Sequence, residues 1–328
     1  ACIDKFDRMH STPLSLQNLL KASFVPHEQI KEFLQQEYSI RCAERICMMQ
    51  ERIPNFHSIP ELEQAFTAHV ECFQAMRNCN ISNDNDFLTV VRSIVEKGRN
   101  MVPLMCMGMA RLVQTEEHVN QSYVDIFLNE FLLNRIGSNV MMSQYLCVHE
   151  GQGNKCIVDP QCNVTEICQQ TARAVQQLCR KETGFEPTIQ VECYSEDKNA
   201  SFAFIPAALS YIVQEVLKNS AVATAKKVLR EEEEELETTD SIIKVMVCAD
   251  EQRVMIHIGD RAGGIPFHVG RHIWSWLYST KTRIVNKKAT ELGGFGVGLP
   301  LSRLYANYLG GSINVVSLPK YGTHTYVF

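Results

Sequence analysis

Two hydrophobic periods share this chain, and the change from one to the other most restricts the folds open to it. Up to about residue 180, apolar side chains recur at three- and four-residue steps, the spacing of one helix face. "PELEQAFTAHVECFQAMRN" (60–78) sets Leu62, Phe66, Val70 and Phe73 on one face, with Ala65 beside it. "NDFLTVVRSIVEKGRNMVPLMCMGMARLVQ" (85–114) continues the pattern, with Pro103 as a candidate kink. The segment 121–150 repeats it. Long helices joined by short polar breaks predict an up-and-down bundle of four or so helices. From Glu186 onward the period shortens. Residues 187–194, 241–250, 252–260, 311–317 and 322–328 alternate or are rich in β-branched side chains, and read as strands. Helical patterns occupy 163–182, 207–229 and 299–309. Strands interrupted by a few helices predict an α+β half, a mixed sheet with helices on one face. The stretch "EGQGNKCIVDPQCNV" marks the change and divides the chain into expected domains 1–155 and 156–328.

Composition narrows the function classes. The 328 residues are 45% hydrophobic and 21% charged, enough to fill ordinary cores. A net charge of −5 gives no bulk electrostatic case for nucleic acid. No apolar run approaches the roughly 18 residues that span a bilayer. Thirteen cysteines include no C-x-x-C pair; the nearest groupings are Cys42/Cys47 and Cys156/Cys162/Cys168. An odd count without zinc-ligand spacing predicts reduced, mostly buried thiols in an intracellular compartment. The opening "ACIDKFDRMHSTPLSLQNLL" reads as neither a signal peptide nor a transit peptide. "EEEEELE" (231–237) reads as a solvated helix end or loop.

Four separated pieces carry recognisable chemistry. In "YIVQEVLKNSAVATAKKV" (211–228) the stripe Ile212, Val213, Val216 and Leu217 is extended by the smaller Ser220 and Thr224. Glu215 and Asn219 share a face, with Lys218 three residues after the glutamate. A carboxylate, an amide oxygen and an ammonium together suit Mg²⁺-bound phosphate; a solvent-facing Glu215–Lys218 salt bridge is the plainer alternative. In "IHIGDRAGGIP" (256–266) a strand ends at Asp260, which can accept a hydrogen bond from an exocyclic amine such as adenine's. Ala262, Gly263 and Gly264 then leave room for a planar base, though an ordinary turn would look similar. "WSWLYSTKTRIVNKKATELGGFGVGLP" (274–300) joins a Lys- and Thr-rich segment, suited to a mobile lid, to alternate glycines and a helix start. Such a turn lets backbone N–H groups approach phosphate. The fourth piece is "GTHTYVF", where Thr323 opens the last strand.

Familiar nucleotide designs are absent. There is no G-x-x-x-x-G-K-[ST], no Rossmann βαβ context for the glycines, and no H-R-D…D-F-G set. The order of the four pieces instead resembles the ATP-binding domain shared by DNA gyrase and histidine kinases: "EVLKN" as the N-box, "DRAGG" and "GFGVGLP" as glycine boxes, "GT" as the closing threonine. Adding "LLKASF", "FLNEFLLNRIGSNVMM", "EVLKNSAVAT" and "LYSTKTR", nearly the whole chain resembles the mitochondrial kinases of 2-oxoacid dehydrogenase complexes, pyruvate or branched-chain. The resemblance implies a helical bundle followed by a histidine-kinase/gyrase-like α/β sandwich. It implies that Glu215 is the general base toward a serine hydroxyl, that Asn219 ligates Mg²⁺, and that Lys218 lies near the phosphates. Asp260, Gly264 and Thr323 would hold adenine, and Ser279 and Thr280 would touch nucleotide from the lid. Gly294, Phe295, Gly296, Val297, Gly298 and Leu299 would surround the phosphates. ATP and Mg²⁺ are the implied cofactors, with K⁺ as an optional third. The implied partners are the E1 α subunit as substrate, the lipoyl domain of E2, a small 2-oxoacid regulator and a second copy in a homodimer, in the mitochondrial matrix.

The sequence also departs from that pattern. Ala262 replaces the first glycine of D-R-G-G-G; its methyl group is tolerable there but should tighten the turn. Val222 stands where an arginine usually follows the N-box, and Gly98 or Arg99 where the bundle usually carries a histidine. Two rival readings follow. A two-component histidine kinase would need a phosphoacceptor histidine; His149–Glu150 forms an H-E pair, at the end of the bundle. A nucleotide-gated scaffold with a decayed ATP site would draw on Val222 and Ala262. His257 reads as a plain sheet residue.

Overall fold

The computed structural model describes residues 2–13, 15, 16, 18, 27–149, 157–195, 200–229, 241–250, 253–280 and 295–328. The acidic run 231–237 and Cys156 lie outside these. The chain divides into two compact units, Ala1–Val158 and Asp159–Phe328.

The first unit is helical: α1 (Cys2–Asp7), α2 (His27–Arg52), a 3-10 turn (Phe56–Ser58), α3 (Pro60–Asn78), α4 (Asp84–Gly98), α5 (Met101–Thr115) and α6 (Gln121–His149). Pro60 begins α3 at its first position, where a missing N–H costs nothing and the fixed φ suits a helix. Asn83 caps α4 by accepting from the amides of Asn85 and Asp86. The expected single helix over 85–114 is broken at Arg99 and Asn100. Pro103 therefore falls in the first turn of α5, where its lack of a donor is harmless, and no kink arises. The core gathers Leu34, Tyr38, Ile46, Met76, Phe87 and Tyr145 among others. The buried face of α3 is wider than the apolar stripe suggests: Leu62, Ala65, His69, Cys72, Phe73 and Met76 are buried, while Phe66 and Val70 are half-buried. α3 packs against α2 on one side and α5 on another, so small and polar positions between two contact lines are covered as well.

The second unit is built on a five-stranded mixed sheet. Its elements are β1 (Asp159–Asn163), α7 (Val164–Thr183), β2 (Thr188–Tyr194), β3 (Ser201–Phe204), α8 (Pro206–Val228), β4 (Ile242–Ala249), β5 (Val254–Asp260), α9 (Phe267–Gly270), α10 (Gly298–Tyr308), β6 (Ile313–Leu318) and β7 (Gly322–Val327). The strand order is β2-β4-β5-β7-β6; β2 and β4 are parallel and the other pairs antiparallel. β1 and β3, which the periodicity does not announce, form a separate antiparallel pair. α7, α8 and α10 pack on one face, over Ile243, Val245 and Val247 of β4 and Ile256 and Ile258 of β5. Strand alternation continues that face to Asp260, so a carboxylate ends an otherwise apolar row. Asn163 caps α7 through the Glu166 amide, and Gly184 ends it at φ 79°.

Candidate functional site

α8 supplies the first wall. Leu209, Ile212, Val213, Val216, Leu217, Ala221 and Ala225 are buried and anchor the helix on the sheet and on its neighbours. That burial fixes the rotation of the polar residues between them. Lys218 Nζ lies 2.7 Å from Glu215 Oε1, with side chains 10% and 16% exposed. The pair is therefore not solvent-facing: an ammonium and a carboxylate are held together inside the wall. Asn219, on the Glu215 face one turn later, is exposed. Its amide oxygen is available to a metal-bound phosphate.

Asp260 ends β5 and is only 4% exposed. Its Oδ1 accepts from the amides of Ala262 (3.0 Å) and Thr323 (3.3 Å), and its Oδ2 accepts from the Ser220 hydroxyl (2.7 Å). Burial pushes the carboxyl above the ordinary aspartate range; the Ser220 hydroxyl, the two amides and the charge of His324 pull the other way. The turn after it is tied to the β6–β7 hairpin: Gly263 N–H donates to Tyr321 O, Lys320 N–H to Gly263 O, and Ile265 N–H to Ser317 Oγ. Positive φ is required at Gly263 (85°) and Gly264 (70°), not at position 262. Ala262 therefore fits without strain, its amide turned to the aspartate. A Cβ at Gly264 would collide with the backbone carbonyl of Leu318, which is why glycine stands there.

The second glycine turn closes against α8 and the segment before the lid. Gly296 has φ 65°, and its carbonyl accepts from Leu277 N–H at 2.9 Å. A Cβ there would overlap the Tyr278 backbone. Trp276 is fully buried beside this contact, and Leu277 itself takes φ 64°, a strained value for a branched side chain. α10 then begins at Gly298, whose missing side chain leaves space that Glu215 Oε2 borders directly. Glycine backbone without side chains, at a helix N-terminus, is a cradle that fits phosphate.

Most of the candidate residues converge on this wall. Glu215, Lys218, Gly298 and the start of α10 meet at one end, and Asp260, Gly264, Thr323 and Ser220 at the other. Ser279 is half-buried, Thr280 and Phe295 are exposed, and Val297 and Leu299 flank the helix start. Gly294 and the lid residues 281–293 lie outside the described residues. No group of three or more His, Cys, Asp and Glu side chains capable of holding a metal occurs among the described residues. A Mg²⁺ ion here would depend on Asn219 and on phosphate oxygens, the usual arrangement for a nucleotide-bound ion. Sequence reasoning missed the role of Ser220. A serine inside an apolar stripe looks like a small filler, and only the strand end across from it reveals a partner.

Two family models match the chain. One, described as mitochondrial branched-chain alpha-ketoacid dehydrogenase kinase, covers residues 13–174; the other, the histidine kinase-, DNA gyrase B- and HSP90-like ATPase, covers 205–328. Among curated relatives, pyruvate dehydrogenase (acetyl-transferring) kinase isozyme 4 of Ictidomys tridecemlineatus is 28% identical over 99% of this chain and 82% of its own length. The human isozyme 4 is 26% identical over 99% and 83%. The Arabidopsis thaliana pyruvate dehydrogenase kinase is 25% identical over 99% and 92%. With both halves matched and these alignments running through the bundle and the nucleotide wall alike, the chain belongs to the mitochondrial 2-oxoacid dehydrogenase kinase family.

Proposed function

We propose that the chain is a mitochondrial matrix serine kinase that transfers the γ-phosphoryl group of Mg²⁺-ATP to the E1 α subunit of a 2-oxoacid dehydrogenase complex and switches it off. One observation carries the reading. α8 presents Glu215 to the second glycine turn and Ser220 to Asp260, five residues and about 7.5 Å of helix rise apart. A single rigid element thus faces both a base-binding carboxylate and a phosphate cradle. Bound ATP would supply the phosphoryl group and its Mg²⁺ the charge neutralisation. Asp260 would accept from the adenine amine, Asn219 would ligate the metal, and the backbone at Gly296 and Gly298 would line the phosphates. Glu215 would take the proton from the attacking hydroxyl while Lys218 fixes its rotamer, a mechanism of positioning and charge neutralisation.

The named relatives favour pyruvate E1 as substrate, and the description of the model matching residues 13–174 favours branched-chain E1. Phosphorylation of both purified E1 proteins side by side decides. A homodimer and docking to the E2 lipoyl domain belong to the same proposal. The bundle contributes a cavity of about 30 Å³ bordered by Arg45, His69, Lys97, Arg135, Ser138 and Asn139. Cations around so small a space suit the carboxylate of a 2-oxoacid regulator.

Glu215→Gln keeps the shape of the side chain and removes the base. Transfer to E1 should fall about a thousandfold while calorimetric ATP affinity in Mg²⁺ stays nearly unchanged. Retained kinase activity would remove Glu215 from the role. ATP binding that is absent or indifferent to Mg²⁺ would favour the decayed scaffold. Acid-labile phosphate on the chain itself would favour a histidine kinase, although His149 stacks on Tyr145 at 4.0 Å and meets its carbonyl, and Glu150 lies outside the described residues.

A further inference from the structure

We propose that Ser220 is a positioning residue that fixes Asp260 as a single-acceptor carboxylate and thereby sets selectivity for 6-aminopurine over 6-oxopurine nucleotides. The inference deepens the ATP reading above and rests on it.

The acceptor inventory of Asp260 carries the argument. An ionised carboxylate has about four lone-pair positions. Two on Oδ1 are taken by the amides of Ala262 and Thr323, and one on Oδ2 by the Ser220 hydroxyl. A single position on Oδ2 remains, and its direction is set by the hydroxyl that occupies the other. Ser220 and Asp260 are 6% and 4% exposed, so water does not compete freely for either. An amino group at the purine 6-position can donate to that position. A 6-oxo group offers only an oxygen, which an ionised carboxylate repels.

Ser220 also keeps the carboxylate in the form that discriminates. Burial raises the Asp260 carboxyl, and the Ser220 hydrogen bond is the largest opposing influence. Without the hydroxyl, protonation moves to higher pH. A protonated Asp260 can donate to a 6-oxo group and no longer offers its full acceptor to a 6-amino group. The charged and titratable groups around it are His324 on β7, and Arg261 and Lys227 at the following turn, where Lys227 Nζ donates to the Arg261 carbonyl at 3.1 Å. All three are present in wild type and variant alike, so a difference between the two isolates the hydroxyl.

The experiment compares the wild-type chain, Ser220→Ala and Ser220→Thr, using Mg-ATP and Mg-ITP in binding and E1-phosphorylation assays from pH 6 to 8. For Ser220→Ala, KM for ATP should rise about tenfold with kcat nearly unchanged. The ATP-to-ITP preference should narrow by about tenfold. ATP affinity should begin to fall at a higher pH than in wild type, and Ser220→Thr, which retains a hydroxyl, should restore the preference. A Ser220→Ala protein that keeps the wild-type ratio and pH profile overturns the role of Ser220 and leaves the kinase reading intact. Equal losses for both nucleotides, with no change of ratio, overturn it as well and mark a structural effect. A wild-type chain that binds neither nucleotide overturns the ATP reading and this proposal with it.

Discussion

Glu215 gains its place in the site from a residue that has no side chain. At Gly298 the first turn of α10 comes so near α8 that Glu215 Oε2 borders the space a Cβ would fill. The carboxylate cannot simply swing aside, because its Oε1 is held by Lys218 at 2.7 Å. Gly298 has no positive φ, so alanine is tolerated by the backbone, and even favoured at a helical position. Gly298→Ala should therefore fold normally and keep its melting temperature within a few degrees. Its turnover on E1 should fall about a hundredfold, the cost of moving a reacting group by an ångström or so. A variant with unchanged turnover would show that Glu215 needs no such exact placement. Gly264 behaves differently. At φ 70° and against the Leu318 carbonyl, its replacement should damage folding and nucleotide binding together.

Elements were legible in the sequence wherever punctuation and period agreed. Pro60 announces α3 to the residue, and the alternation of 241–250 and 252–260 yields β4 and β5 within two residues. β1 and β3 escaped because "DPQCN" and "SFAF" are four or five residues long and do not alternate; their pairing with each other, not their own pattern, makes them strands. Of the site, the polar residues on α8 and the strand-end Asp260 could be named in advance. The Ser220 contact could not, because it joins residues 40 apart whose meeting depends on how α8 lies on β5. The same limit applies to the bundle. Gly108 in α5 lies against α3, where a Cβ would fall 2.5 Å from Leu62 Cδ2 and Cγ. Both residues are buried, so Gly108→Ala must push the helices apart or force Leu62 off its rotamer. Denaturant unfolding of the bundle should show a loss of about 1–3 kcal/mol, whereas helix propensity alone would predict a gain. A stabilised variant would mean that the two helices part without cost. Paired with Leu62→Ala, the loss should shrink, since the shortened side chain vacates the disputed space.

At the scale of the whole molecule the two units depend on buried polarity in opposite ways. In the second unit a buried carboxylate, Asp260, has one acceptor position open to the proposed ligand and is kept in place by three donors. In the first, several buried polar side chains pair with other protein side chains: Glu37 pairs with Arg41 at 2.9 Å, and Arg45 donates to Asn134 and Ser138. His69 sits in the midst of this network, 5% exposed, its Nδ1 2.7 Å from the Ala65 carbonyl and its ring edge-on to Phe131. Burial, reinforced by the charges of Arg45 and Arg135, pushes its pKa from 6.5 down to about 3. The consequence for stability has a definite sign. Above pH 6.5 the imidazole is neutral in both folded and unfolded chains, and its full contribution is present. As pH falls from 6.5 toward 3 the unfolded chain binds a proton that the folded bundle refuses, so stability drops by about 1.4 kcal/mol for each pH unit. His69→Gln keeps an N–H donor for Ala65 and removes the titration. Urea unfolding followed by helical circular dichroism should find the wild-type bundle losing about 2 kcal/mol more than the variant between pH 6.5 and 4.5, whatever the variant's stability at neutral pH. Mg-ATP should not alter that difference, because His69 lies in the bundle and not in the nucleotide wall. Parallel pH profiles for the two proteins would mean that His69 titrates in the folded state as it does in water, and that the bundle core admits the charge.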